Sequence, residues 1–109
     1  MSAMRSSSKL LLFLYLSLWL FTCSQAATSW CVLKKNPPVS NEKVQAFIDF
    51  ACGEIDCSPI RPGGTCYEPN TYDVHGTYAL DAIYRVNGDC NEIGFITTVD
   101  PSFGTCRIP

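Results

Sequence analysis

The side chains of this 109-residue chain that could do chemistry are few: one histidine, ten carboxylates and seven cysteines. Hydrolysis would need two neighbouring carboxylates, or a nucleophile with an adjacent base. His75 is the only imidazole, and no serine or cysteine pattern pairs with it. Asp73 and Asp81 lie on one predicted helix, about 12 Å apart along its axis, which is too far for a glycosidase pair. The sequence therefore predicts no enzymatic activity, and we interpret His75 as a packing residue.

Residues 1–26 have the layout of a secretory signal peptide. Arg5 and Lys9 precede an apolar run over 10–21, and Ser24-Gln25-Ala26 supplies small residues for cleavage. The apolar run has about 12 residues, whereas a membrane span needs about 20. We therefore predict a signal peptide over 1–26 and one small secreted domain over 27–109.

Cys23 belongs to the predicted signal peptide, so six cysteines remain in the domain. An even number in a short secreted chain predicts three disulfides, for which fifteen pairings are possible. A zinc site with His75 is the alternative, but Cys52 and Cys57 lack zinc-finger spacing and the secretory route oxidises thiols. We expect no metal and no cofactor. The six are Cys31, Cys52, Cys57, Cys66, Cys90 and Cys106.

The charge of the predicted domain is acidic. Without Arg5 and Lys9, the predicted domain has six basic and ten acidic side chains, which gives a net charge of about −4. No basic patch is visible, which argues against nucleic acid or an anionic membrane as partner. The chain ends in Arg107-Ile108-Pro109 without an apolar tail, so we expect no membrane anchor after signal cleavage. We expect the domain to be a monomer.

Aromatic side chains point to surface recognition. Tyrosine combines an apolar ring with a polar tip, which suits a wet binding surface. A sugar ring has an apolar C–H face that stacks on such rings, and its hydroxyls need polar partners. The segment 67–72, Tyr-Glu-Pro-Asn-Thr-Tyr, offers both kinds of partner. Phe47 and Tyr78 are expected in the core instead. The nine aromatic residues of the predicted domain are Trp30, Phe47, Phe50, Tyr67, Tyr72, Tyr78, Tyr84, Phe95 and Phe103.

Two helices must position these side chains. Ser40 is predicted to cap the first, Asn41 to about Cys52, and Gly53 to end it. The second is predicted from about Thr71 to Val86, and Asn87-Gly88 ends it. The apolar stripe of the first helix consists of Val44, Phe47, Ile48 and Ala51. That of the second consists of His75, Ala79, Ala82, Ile83 and Val86.

A strand and a hinge complete the predicted elements. Residues 95–99 are rich in β-branched and aromatic side chains, which favours a strand, and Val32-Leu33 is the best candidate partner. The segment Cys52–Asn70 holds three cysteines, three prolines and three glycines without regular periodicity. We interpret it as a crosslinked hinge that sets how the two helices meet.

Six ordered motifs resemble the plant X8 domain, the family-43 carbohydrate-binding module. That resemblance implies a small disulfide-rich α+β fold of two α-helices and a small antiparallel β-sheet. It implies the bridges Cys31–Cys90, Cys52–Cys57 and Cys66–Cys106. It also implies non-catalytic binding of β-1,3-glucan (callose or laminarin) in the plant cell wall or apoplast. The motifs are Trp30-Cys31-Val32, residues 50–53 (Phe-Ala-Cys-Gly), 56–60 (Asp-Cys-Ser-Pro-Ile), 62–71 (Pro-Gly-Gly-Thr-Cys-Tyr-Glu-Pro-Asn-Thr), 75–79 (His-Gly-Thr-Tyr-Ala) and 100–106 (Asp-Pro-Ser-Phe-Gly-Thr-Cys).

We predict a glucan-binding face made of tyrosines and polar neighbours. Tyr67 follows the crosslinked Cys66, so ordering it on binding costs little. Tyr84 lies off the apolar stripe of the second helix, and Asp81, three residues earlier, shares its face. The predicted stacking rings are Tyr67, Tyr72, Tyr84 and Phe103. The predicted partners for sugar hydroxyls are Glu68, Asn70 and Asp81.

The chain departs from the X8 pattern in two places. The family usually has Asn and a Tyr-Tyr pair where this chain has Asp81 and Ile83-Tyr84. It usually has Asp-Phe-x-Gly where this chain has residues 91–94, Asn-Glu-Ile-Gly. Two other functions therefore stay open. One is a secreted defence or signalling protein that keeps the scaffold and has lost glucan binding, and the other is an enzyme acting on glucan.

Overall fold

The computed structural model describes residues 28–109, and the predicted signal peptide lies outside them. Two helices, a two-stranded antiparallel sheet and three disulfides make a small disulfide-rich α+β fold, which is the predicted class. Over this range neither helix is long and apolar enough to cross a lipid bilayer. In chain order the elements are β1 (Trp30–Leu33), α1 (Asn41–Cys52), a 3-10 turn (Ser58–Ile60), α2 (Tyr72–Asn87) and β2 (Gly94–Thr97).

Helix α1 has the predicted bounds. The hydroxyl of Ser40 accepts a hydrogen bond from Lys43 N at 3.3 Å, which satisfies one of the unpaired donors of the first turn. The helix ends where the N–H of Gly53 bonds back to Phe50 O at 3.1 Å. Its predicted stripe is buried in the core: Val44, Phe47, Ile48 and Ala51.

Helix α2 begins at Tyr72 because the hydroxyl of Thr71 accepts from Val74 N at 3.3 Å, as a cap does. It ends at Gly88, whose φ of 78° is a left-handed conformation that glycine adopts without strain. The predicted core position of Val86 is wrong, since its side chain is 70% exposed. The continuously buried part of α2 ends at Ile83, and Val86 and Asn87 at the end of the helix are exposed.

The sheet pairs the two segments that the sequence indicates. Strand β1 is antiparallel to β2, with Val32 opposite Phe95. The predicted second strand over 95–99 is too long at its end. β2 stops at Thr97 because the Thr97 hydroxyl accepts from Val99 N at 3.2 Å, and this bond turns the chain out of the sheet.

Two of the three disulfides tie a regular element to an irregular segment, since Cys31 lies in β1 and Cys52 ends α1. The three bridges join Cys31 to Cys90, Cys52 to Cys57 and Cys66 to Cys106, the pairs that the resemblance implies. Because all six cysteines are bridged, the alternative of a cysteine-ligated zinc site is wrong. Cys52–Cys57 closes the start of the hinge, and Cys66–Cys106 ties the hinge to the C-terminal segment.

A regular series of polar contacts joins β1 to α2, which we call the β1–α2 ladder. Residues 29, 31, 33 and 35 contact residues 85, 81, 77 and 73 of α2, in that order. The steps are therefore two residues along the strand segment and four residues along the helix. The two inner rungs satisfy backbone N–H groups on the edge of β1 that faces away from β2, so α2 takes the place of a third strand. The rungs are Arg85 Nη2 to Ser29 O (2.6 Å), Cys31 N to Asp81 Oδ1 (2.9 Å), Leu33 N to Thr77 Oγ1 (3.1 Å) and Lys35 Nζ to Asp73 Oδ2 (3.3 Å).

Gly76 sits where α2 approaches α1 and β1 most closely, so we expect Gly76→Ala to destabilise the fold. A Cβ there would lie 2.8 Å from Val44 Cγ1 and 3.5 Å from Leu33 Cδ2. Overpacking costs about 1–3 kcal/mol, and alanine returns about 1 kcal/mol of helix propensity, so we expect a net loss of about 1 kcal/mol. Urea unfolding followed by circular dichroism measures it.

Gly53→Ala is the matched control for this prediction. Its Cβ would meet nothing closer than Phe50 O at 3.4 Å, and φ is −80°, so alanine fits there without strain. We expect this variant to be as stable as the parent or slightly more stable. Equal stability of the parent and of Gly76→Ala would contradict the close packing of α2 against Val44.

Candidate functional site

A groove of about 380 Å³ lies between the sheet, the first half of α2 and the C-terminal segment. Its size is at the lower end of the range for ligand sites in proteins, roughly 300–1,000 Å³. Three separate parts of the chain surround it: the two strands, α2 and the C-terminal segment. The Cys66–Cys106 bridge holds the last of these in place. Representative wall residues are Val32, Thr77, Phe95, Val99, Phe103 and Ile108.

The groove displays aromatic rings to solvent. Phe95 on β2 is 46% exposed and Phe103 in the C-terminal segment is 39% exposed, and Val99 between them is 72% exposed. Apolar side chains are ordinarily buried, and exposed ones grouped in a hollow mark a binding surface. Phe103 is held in place because its backbone pairs with that of Cys106, next to the disulfide.

One end of the groove is charged. Lys35 Nζ lies 3.3 Å from Asp73 Oδ2, and both side chains remain at least half exposed. An ion pair this accessible to water adds little to stability. It does hold an ammonium with three donors beside a carboxylate that accepts several hydrogen bonds, and the pair uses only part of this capacity.

Three of the predicted site residues lie in the loop that follows Cys66. Tyr67 is half-buried, and its ring stacks on His75 with centroids 5.5 Å apart. The amide of Asn70 donates to the Tyr67 hydroxyl at 3.1 Å, and Glu68 is exposed. The carbonyl of Tyr67 lies 2.8 Å from His75 Nε2. His75 therefore packs against this loop through its ring and through Nε2, in keeping with its interpretation as a packing residue.

Tyr72 follows that loop in the chain and does not line the groove. It is the first residue of α2, is 37% exposed, and lines a second hollow beside the outer face of α1. Glu42 and Asp49 line the same hollow, so its surroundings are acidic.

The prediction that Asp81 is available to a sugar is wrong, because its side chain is completely buried. Asp81 Oδ1 accepts from Cys31 N, and Asp81 Oδ2 lies 3.5 Å from Arg85 Nη2 without a hydrogen-bond partner. Burial raises the pKa of the Asp81 carboxyl above its usual value, against the lowering effects of the Cys31 N–H and of Arg85. Its role is to hold β1 against α2.

Tyr84 is also engaged within the fold, although its ring was expected to face solvent freely. Its hydroxyl lies 2.9 Å from the hydroxyl of Ser29, and the Arg85 guanidinium lies over its ring at 5.3 Å. The same guanidinium lies 5.9 Å from the centroid of Trp30. Arg85 Nε also donates to Pro109 O at 2.8 Å, so this cluster fastens both ends of the described chain.

The predicted residues thus do not form one face. Tyr67, Glu68 and Asn70 share a loop, Tyr72 lines a second hollow, and Phe103 is the one that lines the groove. Sequence reasoning missed the groove residues Lys35, Asp73, Phe95 and Val99. A signal was present for Asp73, because Asp73, Thr77, Asp81 and Arg85 recur at intervals of four and so mark one polar stripe on α2.

The fold and the groove define the class of protein: a small, disulfide-crosslinked α+β module. The family profile described as X8 domain matches residues 29–93. This match covers more than half of the chain, so the chain belongs to the X8 domain family. It ends before β2, so Phe95, Val99 and Phe103 lie beyond it.

Several curated plant proteins resemble the chain. Major pollen allergen Ole e 10 of Olea europaea is 36% identical over 91 residues, which are 76% of this chain and 72% of the allergen. Plasmodesmata callose-binding protein 2 of Arabidopsis thaliana is 36% identical over 105 residues, 90% of this chain and 53% of that protein. A glucan endo-1,3-beta-D-glucosidase of Olea europaea is 41% identical over 92 residues, 78% of this chain.

The chain spans only 20% of that glucosidase, and similarly small shares of related glucosidases from wheat and Arabidopsis thaliana. The resemblance to these enzymes is therefore confined to one part of each. No solved structure matches the chain significantly.

Proposed function

We propose that this protein binds β-1,3-glucan of the plant cell wall without cleaving it. The observation that carries the proposal is membership of the X8 family together with similarity to a relative whose name states that it binds callose. The exposed aromatic rings and the accessible ion pair of the groove supply the two kinds of contact that a sugar chain needs.

The carboxylates support a binding protein rather than an enzyme. A retaining glycosidase needs two carboxyl groups about 5–5.5 Å apart, and an inverting one about 6.5–9.5 Å apart. Asp73 is the one carboxylate among the described residues that line the groove, and it is paired with Lys35. Asp81, the carboxylate two rungs along the ladder, is buried and bonded to backbone.

A secreted monomer in the apoplast or cell wall fits this function. Three disulfides in a small domain are typical of proteins that fold in an oxidising compartment. The predicted signal peptide over 1–26 would direct the chain there, and the polysaccharide partner is found in the same place.

Retention on insoluble β-1,3-glucan tests the proposal. We expect the folded, disulfide-bonded protein to be retained, and little retention on cellulose or xylan. Reduced and alkylated protein is the control for adhesion of an unfolded chain. We also expect incubation with laminarin to release no reducing ends.

Two results would contradict the proposed function. Failure of correctly folded protein to bind β-1,3-glucan would favour the secreted defence or signalling alternative. Release of glucan oligosaccharides by the purified protein would favour the enzyme.

A further inference from the structure

Among the described residues, two exposed phenylalanine rings line the groove. Phe95 and Phe103 are 46% and 39% exposed, and no aromatic side chain of the described residues stacks on either. An exposed phenyl ring has no polar atom to bond water, so covering it with the C–H face of a sugar removes apolar surface from water.

Two of the three tyrosines of the predicted face already contact neighbours, and the third, Tyr72, does not line the groove. His75 stacks on one side of Tyr67, and Asn70 donates to its hydroxyl. The Arg85 guanidinium lies over the ring of Tyr84, and the Tyr84 hydroxyl bonds to Ser29. A sugar stacking on either ring would have to use the remaining face or displace a contact of the fold.

The polar end of the groove complements hydroxyl groups. Neighbouring sugar hydroxyls each donate and accept, so one can accept from the Lys35 ammonium while another donates to the Asp73 carboxylate. The pair sits on the last rung of the β1–α2 ladder, which holds Asp73 at a fixed position relative to β1. Preorganised polar groups beside an apolar floor are the usual composition of a small-ligand site.

We infer that the glucan lies in this groove, with Phe95 and Phe103 stacking on its rings and the Lys35–Asp73 pair binding its hydroxyls. The inference rests on the proposed function and adds the location of the site. The groove holds about 380 Å³, so it receives a short stretch of a glucan chain. Tyr67, Glu68, Asn70, Tyr72 and Tyr84 then lie outside the site.

Single alanine substitutions at the two groove rings test this location. We expect Phe95→Ala and Phe103→Ala each to weaken binding of soluble laminarin about tenfold, since each removes most of one stacked ring. We expect Asp73→Asn to weaken it several-fold, because the carboxylate loses its charge-assisted hydrogen bond to a hydroxyl. Isothermal titration calorimetry measures affinity, and urea unfolding checks that each variant is folded.

Two variants outside the groove serve as controls. Phe50→Ala removes a phenylalanine that is 57% exposed on α1, so it matches the groove variants in chemistry and exposure. Tyr67→Ala removes a ring of the rival face. We expect both to bind laminarin within about twofold of the parent, because neither lines the groove.

A titration of ¹⁵N-labelled parent protein with a β-1,3-linked glucose oligosaccharide needs no substitution, so it stands even if a variant fails to fold. We expect the largest chemical-shift changes in Lys35, Asp73, Phe95 and Phe103. Changes confined to residues 67–72, or full affinity in both folded groove variants, would overturn the location and leave the proposed function standing. Absence of binding by the parent would overturn both.

Discussion

Replacing Cys66 and Cys106 together by alanine is expected to lower the free energy of unfolding by about 4 kcal/mol, because this bridge spans 40 residues of sequence. The corresponding removal of Cys52–Cys57 is expected to cost about 2 kcal/mol, because that bridge spans only 5 residues. In the chain-entropy model a longer closed loop restricts the unfolded chain more.

The structure adds a second reason for the size of the Cys66–Cys106 effect. The bridge joins the hinge to the C-terminal segment, and both of its cysteines lie outside the helices and the two-stranded sheet. Both sulfur-bearing residues are completely buried, so alanine also leaves unfilled space in the core. A domain of this size buries a modest core and has few other contacts to compensate.

Guanidinium unfolding of the two double variants and the parent measures the difference. Peptide mapping without reduction must first show the remaining two bridges intact in each variant. The Cys52→Ala/Cys57→Ala protein is the matched control, since it loses the same chemical groups from a short loop. Equal losses of stability in the two double variants would contradict the dependence on loop length.

Asp81→Asn is expected to remove a decline in stability that the parent shows as pH rises above about 4. Burial raises the pKa of the Asp81 carboxyl in the folded state, whereas the unfolded chain keeps a value near 3.8. The folded state then binds more protons than the unfolded state between these two values. Stability therefore falls as pH rises through this window, and the contribution is fully present only below it.

Two other carboxyl groups change stability with pH in the opposite direction. Their contributions must be separated from that of Asp81. Hydrogen bonds from Ser58 lower the pKa of Asp56, and hydrogen bonds from Ser102 lower that of Asp100. Their contributions are present above pH 3.8 and are lost as pH falls through the lowered values. Both groups remain in Asp81→Asn, so subtracting its pH profile from that of the parent isolates Asp81.

Asp81→Ala supplies the control for the structural part of the role. Asparagine keeps an oxygen that can accept from Cys31 N, whereas alanine leaves this buried N–H without a partner. We expect Asp81→Ala to be less stable than Asp81→Asn by about 1–3 kcal/mol at every pH, the usual cost of an unsatisfied buried group. Urea unfolding between pH 3 and 8 measures both effects. Parallel profiles for the parent and Asp81→Asn would contradict the raised pKa.

The helices were predictable because their signals are local. Ser40 and Thr71 precede runs with helical periodicity, and Gly53 and Gly88 follow them, so each boundary fell within one or two residues. The strand pairing was also predictable, since few segments outside the helices are rich in β-branched residues. The disulfide pairing came from family resemblance, because spacing alone leaves fifteen possibilities.

The role of Asp81 could not be predicted from local pattern. Arg85 one turn later lies 3.5 Å from Asp81, but a carboxylate is ordinarily a surface residue. Its partner is a backbone N–H at Cys31, 50 residues earlier in the chain. Only the packing of β1 against α2 reveals that this N–H needs an acceptor.

The groove was missed for a similar reason. It combines residues near position 35, the first turns of α2, and the segment after Gly94, which are distant in sequence. Phe103 was predicted as a site residue from its ring alone. Phe95 was assigned to a strand, and nothing local shows that its ring faces outward.

The β1–α2 ladder joins a helix and a strand whose repeats differ in length. Four residues of helix rise about 6.0 Å and two residues of strand about 6.8 Å, so successive rungs drift apart by roughly 0.8 Å. In the two central rungs, where the offset is smallest, the short side chains of Thr77 and Asp81 reach backbone N–H groups. At the two ends the long side chains of Arg85 and Lys35 span the offset. The difference in rise therefore limits the length of the ladder. The two central hydrogen bonds fix the position of α2 along β1.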